Sequence, residues 1–299
     1  MKNALKYYYD LNAYDIHHID ENYKFIIEDK KYVLYKIQEE INLEDIYELN
    51  IYLINLGFKC HKIILNNQNN IMTYINDSNY ILMEIFTNYN YEIILNDILE
   101  FSKYEIDFKT TLKRENWYNL WTKKIDYLEY QVNHIGKKYP LLVSSFSYFI
   151  GMAETSIQLL NEIKEEDGIY TVSHKNIYSN MTLYELYNPL NFIVDLKIRD
   201  ISEYFKKKFF ENKYIYDEIN YYLKYSNLTE YDIKMFFVRM IYPSFYFELY
   251  EKIIDGSENE KNILKIISKT DDYEIFIKNL YNIIKNYVIL SEIEWLKKT

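Results

Sequence analysis

Along residues 22 to 37, NYKFIIEDKKYVLYKI, two apolar, β-rich runs flank a polar stretch, which predicts two β-strands joined by a turn at EDKK, residues 28–31. The period then changes: Ile46, Leu49, Leu53 and Ile54 recur at helical spacing, and Gly57 stands where a left-handed C-cap belongs. Three short apolar runs between 61 and 86, separated by Asn-rich turns, read as strands. From about Tyr91 helices take over, with a short one at 92–103 and an apolar stripe through Trp117, Trp121, Ile125, Leu128 and Val132. A further stripe runs through Phe146, Phe149, Ile150, Ala153, Ile157 and Leu160. Two strands, IYTVSH and NFIVD, interrupt this helical part. Asp200 with Glu203, and Thr229 with Asp232, have the spacing of capping boxes. Ile233, Phe236, Phe237, Met240 and Ile241 form the buried face of the next helix, Pro243 interrupts it, Ser244 to Ile254 continues, and a last helix is predicted over 272–297.

The expected architecture is α+β and bilobal. Residues 1–86 form a small mixed lobe with an antiparallel sheet, and 87–299 form a larger, mainly helical lobe. Composition sharpens this only at the edges. Apolar residues make up 49% and charged residues 27%, enough for a sizeable core. The net charge of −10 argues against a nucleic-acid binder, and the Lys206, Lys207, Lys208 run reads as a solvated helix face. No stretch reaches the roughly 18 apolar residues of a membrane span, and the first residues lack the apolar core of a secretion signal, so a cytoplasmic protein is expected. The single cysteine, Cys60, excludes an internal disulfide and reads as structural. The 36 tyrosines accompany many Asn, Ile and Lys residues, a codon-bias pattern rather than a base-stacking surface. No HExxH or GxSxG motif occurs, so a hydrolase is disfavoured.

The segments SYFIGMAETSIQLL, YTVSHKN, LYNPLNFIVDLKIRDISEYF and PSFYFELYEKI carry a resemblance. Together they resemble the YutH-type spore coat proteins, kinase-like relatives of aminoglycoside phosphotransferases and choline kinases. Active members of that superfamily have a His-Gly-Asp catalytic loop, with an Asn five residues after the Asp. The Asp takes up the substrate hydroxyl's proton and the Asn helps hold a metal ion. Here the loop reads His174, Lys175, Asn176, so the resemblance puts an amide at the base position, and Met181 falls at the Asn position with Asn180 one place early. It further implies Asp195, at the end of NFIVD, as a Mg²⁺ ligand and Asp200 as a structural acid. It implies Lys36 as the phosphate lysine with Glu44 or Glu48 as its helical partner, EDKK as the phosphate-covering turn, and the backbone around Met83 in ILMEIF as the adenine hinge. ATP and Mg²⁺ are the implied cofactors, and spore coat proteins the implied partners. Two readings result: a catalytically impaired kinase fold with a structural or interaction role, and a small-molecule phosphotransferase for a hydroxylated or amino substrate.

Overall fold

The computed structural model describes residues 1–38, 42–87, 89–135, 138–163, 168–178 and 180–298. Helix α1 (Lys2–Tyr9) is followed by strands β1 (Ile16–Ile19), β2 (Asn22–Ile27) and β3 (Lys30–Ile37), helix α2 (Leu43–Asn55), and strands β4 (Lys62–Ile64), β5 (Met72–Ile75) and β6 (Ser78–Ile85). These strands form one antiparallel sheet in the order β1-β2-β3-β6-β4, with β5 also on β6. Neither α1 nor β1 was anticipated. Tight turns carry left-handed residues at Glu28 and Asp29 and again at Asn76 and Asp77, the twist that two-residue hairpins need.

Both faces of the sheet are covered. Phe25, Tyr32, Leu34, Tyr80 and Leu82 pack with Leu5 and Tyr9 of α1, and the Tyr9 hydroxyl meets Thr73 Oγ1 at 2.8 Å. On the other face Ile63, Ile81 and Met83 pack with Ile46 of α2 and with Leu190 from the second lobe, with Tyr35 and Tyr47 against them.

The second lobe comprises α3 (Leu95–Phe101), α4 (Trp117–Ile135), α5 (Pro140–Glu162), β7 (Tyr170–His174), α6 (Leu183–Leu186), β8 (Phe192–Leu196), α7 (Arg199–Phe210), α8 (Tyr216–Tyr225), α9 (Glu230–Ile241), α10 (Ser244–Ile254), α11 (Leu264–Ile267), α12 (Thr270–Ile284) and α13 (Glu294–Lys298). The last predicted helix is thus two, separated at residues 285–293. Strands β7 and β8 form an antiparallel pair, flanked by chain from one connection: Ile106 N–H donates to Tyr170 O and Arg114 N–H to Val194 O. That connection also reaches the first lobe, where Thr110 Oγ1 donates to the Asp45 carboxylate of α2 and Asn42 Nδ2 to Thr111 Oγ1.

Thr229 and Asp232 form the reciprocal capping box expected at α9. The Asp200–Glu203 box does not form; helix α7 starts without a side-chain cap, and both acids turn inward. Lys206 also corrects expectation, being 1% exposed. Pro243 breaks α9 from α10 and leaves carbonyls open, and Lys206 Nζ donates to Arg239 O (3.1 Å), Tyr242 O (3.2 Å), Ser244 Oγ (2.6 Å) and Glu203 Oε1 (2.8 Å). A buried ammonium is tolerated because its donors are all used.

Candidate functional site

A cleft opens between the inner face of the sheet and the segment 174–191. One end is lined by Asp20, Glu21, Tyr35, Lys36, Lys175 and Leu190 and has a volume of about 370 Å³. The other end, about 340 Å³, is lined by His17, Lys24, Val33, Ile85, Asn90 and Tyr184 among others.

Strand alternation decides which side chains face it. Lys36 shares a face with Tyr32 and Leu34, as its spacing requires, but that face packs under α1. Its ammonium bends to the edge, where it pairs with Glu21 Oε1 at 2.7 Å. The residue whose position points inward is Tyr35. Glu44 and Glu48 are exposed and do not meet Lys36, while α2 buries Asn50 instead, whose side chain bonds Ile63 N and His61 O. The structure thus does not bring Lys36 together with Glu44 or Glu48, and the lysine stays at the cleft edge on Glu21. The turn over the cleft is Asp20–Glu21; the Glu28–Asp29 turn lies at the opposite end of β3, next to Ile85. Met83 is fully buried in the middle of β6, between Val33 and Ile63, so its backbone belongs to the sheet and is not a hinge facing ligand.

His174 ends β7 with its ring in the core. Nδ1–H donates to Asp200 Oδ2 (2.6 Å) and Nε2–H to Leu186 O (2.8 Å), while its own N–H donates to Asp200 Oδ1 (3.1 Å). It braces the loop and does not reach the cleft. Burial raises the Asp200 carboxyl, but His174 and Arg199 outweigh it and hold the group below the usual carboxylate range. Asp200 is the structural acid the resemblance implied.

Asn176 is exposed; its N–H donates to Asn191 Oδ1 (3.3 Å) and its carbonyl accepts from Asn191 Nδ2 (3.2 Å). Lys175 Nζ donates to Leu190 O at 3.0 Å. Met181 is buried and accepts Ile93 N–H through its carbonyl, and Asn180 is exposed on the turn before it.

Asp195 is where the structure departs furthest from a metal ligand. It pairs with Thr171, three residues along β8 from the Phe192–His174 pair, or about 10 Å of strand. Its carboxylate is fully buried. Oδ1 accepts from Trp117 Nε1 (3.0 Å), Arg239 Nη2 (3.1 Å) and Leu196 N (2.7 Å), and Oδ2 lies 3.1 Å from Arg199 Nε. Burial is the larger effect and holds this carboxyl above the usual carboxylate range, although Arg239 and Arg199 pull it down. Arg239 stacks on Trp117, 4.1 Å from the ring centroid, and Arg199 also donates to Lys175 O at 3.1 Å. Sequence reasoning missed Arg199, Arg239, Trp117, Asn191 and Tyr35. The Asn191 side chain is spent on the Asn176 backbone and the Asp195 carboxylate is buried among arginines, so neither offers Mg²⁺ the carboxylate oxygen by which a protein ordinarily holds it.

A family model described as "Spore coat putative kinase YutH" matches residues 2–280. The chain belongs to this family. Its curated relative in Bacillus subtilis (strain 168), the endospore coat-associated protein YutH, is 23% identical over 223 residues, and the match spans 65% of each protein. Among solved structures, an aminoglycoside phosphotransferase from Alicyclobacillus acidocaldarius superposes over 96% of both chains with TM-score 0.70 at 11% identity. Spectinomycin phosphotransferase, solved with ADP and spectinomycin, superposes over 91% of this chain and 92% of its own with TM-score 0.55 at 13% identity. Such likeness fixes the fold as aminoglycoside phosphotransferase-like. Among the described residues no helix of the YutH-family chain is long and apolar enough to cross a membrane.

The lobes of this YutH-family protein are tied at His61. Its N–H donates to Tyr187 O (3.1 Å), Nε2–H to Tyr184 O (2.9 Å), and Phe86 N–H donates to Nδ1 (3.2 Å). Only the neutral ring satisfies all three, and burial holds its pKa down to about 4. A depressed histidine supports folding fully above the unfolded value of about 6.5 and loses that support as pH falls toward the folded value. Urea denaturation from pH 7 to pH 4 is expected to show a loss of about 3 kcal/mol from this group. His61→Gln should flatten the slope in that interval; an unchanged slope would refute the assignment.

Proposed function

We propose that this protein is a kinase-fold component of the spore coat that acts by binding and does not transfer phosphoryl groups. The observation that carries the reading is the burial of the Asp195 carboxylate against Arg239 and Arg199, and it is supported by Asn176, an amide, at the position where the resemblance puts the base. Tyr35 at the inward-facing position of β3 adds to it, because a phenol carries no positive charge toward phosphate. Coat proteins are the partners this reading calls for, made in the cytoplasm and incorporated with it.

The test is a thermal shift with ATP, with and without Mg²⁺, beside an assay of phosphate release in the presence of aminosugars and amino alcohols. The expected result is no Mg²⁺-dependent shift and no turnover. Asn176→Asp is expected to gain no activity, although a general base in an otherwise intact site contributes about 10²- to 10⁴-fold. Mg²⁺-dependent transfer that falls in Asn176→Ala would establish the phosphotransferase reading instead.

A further inference from the structure

We propose that the sheet-side pocket of the cleft binds a small aromatic acid, with its ring against Tyr184 and its carboxylate on Lys24. Lys24 sits opposite Val33 in the β2–β3 pair, on the inward face of the sheet. Its Nζ lies 5.5 Å from the centroid of the Tyr184 ring. Among the described residues no carboxylate pairs with it, in contrast to Lys36 on Glu21 and Lys30 on Glu84. The Asp15 carboxylate at the rim is turned to His17, 3.1 Å away. The pocket holds about 340 Å³ between Val33, Ile85 and Tyr184, with Lys24 and Lys31 both at its wall, within the size range of small-molecule sites. It therefore combines apolar walls, one fixed aromatic face and, at Lys24, an ammonium that no carboxylate meets among the described residues.

The Tyr184 face is well held. Its N–H donates to Tyr89 O at 3.3 Å, its carbonyl accepts from His61, and His61 sits 4.9 Å from its ring. Burial first, then Tyr35, lift its hydroxyl to about 12, so the ring stays a neutral phenol. A carboxylate takes a short charge-assisted hydrogen bond from an ammonium, and one ammonium neutralises one such charge. A polyphosphate is disfavoured, because at the far end of the cleft Asp20 and Glu21 offset Lys36 and Lys175 and leave no surplus positive charge. No metal is needed for such a ligand.

The inference deepens the non-catalytic reading of the same cleft and rests on it. It is tested by calorimetric titration of the full chain with 2-naphthoate, 2-naphthylmethanol and ATP with Mg²⁺. Naphthoate is expected to bind without Mg²⁺, and Lys24→Met to weaken it about tenfold or more, as loss of a hydrogen bond to a charged group does. Lys24→Arg is expected to retain binding, and Tyr184→Leu to weaken naphthoate and naphthylmethanol alike. No binding of naphthoate, or equal binding to wild type and Lys24→Met, overturns the proposal and leaves the non-catalytic reading in place. Turnover of ATP with Mg²⁺ overturns that reading, whatever naphthoate does.

Discussion

Asp195→Ala is expected to lower the unfolding free energy by about 3–5 kcal/mol, the cost of removing one partner from a buried ion pair. The carboxylate accepts from Arg239, Trp117 and the Leu196 peptide and is the ion-pair partner of Arg199, so its loss leaves two buried guanidiniums without it and one indole N–H unpaired. Denaturant unfolding of wild type and variant measures the loss directly. The same difference should appear with and without ATP and Mg²⁺, since the group faces the core. A surface metal ligand would give the opposite pattern: near-native stability, with a Mg²⁺-dependent shift abolished. Arg239→Met should be similarly costly, and the double variant Asp195→Leu with Arg239→Met much less so, because it leaves fewer buried charges without partners.

Asp200→Ala is expected to cost about 3–5 kcal/mol for a related reason, since it strips the acceptor from a buried ring N–H, a peptide N–H and a guanidinium together. The pH dependence has a definite sign. A carboxyl held below its unfolded value stabilises the fold above about pH 4 and ceases to do so as pH falls through the folded value. Wild type should therefore lose this contribution progressively as pH falls below about 4, and Asp200→Asn should lack that acid limb. Retention of the limb in the variant would assign the acid sensitivity to other carboxylates.

The order of elements was legible because period 2 gives way to period 3.6 at a definite place, and Gly57 and Thr229 end or begin helices by local chemistry. Side-chain direction was legible only in part. Alternation correctly grouped Tyr32, Leu34 and Lys36, yet both faces of this sheet are covered, so pattern alone does not say which one meets the cleft. Helix α1, which decides the matter, carries only Leu5 and Tyr9 as buried positions and was not foreseen. The burial of Asp195 has no local signal, because its partner Arg239 lies 44 residues away in sequence. The lysine neighbours of Lys206 predict a solvated face, while carbonyls opened at a distant proline hold it in the core. In each case local sequence proposes a charge, and the partner that fixes its role comes from another element.

The connection from 104 to 116 has a bearing on how the chain acquires its structure. Its backbone completes both edges of the β7–β8 pair, and its threonines hold the first turn of α2. Helix α2 thus receives its anchor from chain made some sixty-five residues later, and the anchor is itself secured only once β8 has formed. Non-local closure of this kind is slow to form and strongly cooperative. A nascent chain or fragment stopping at the end of β6 would therefore leave α2 without its anchor, and the first lobe would mature only after the second had been synthesised.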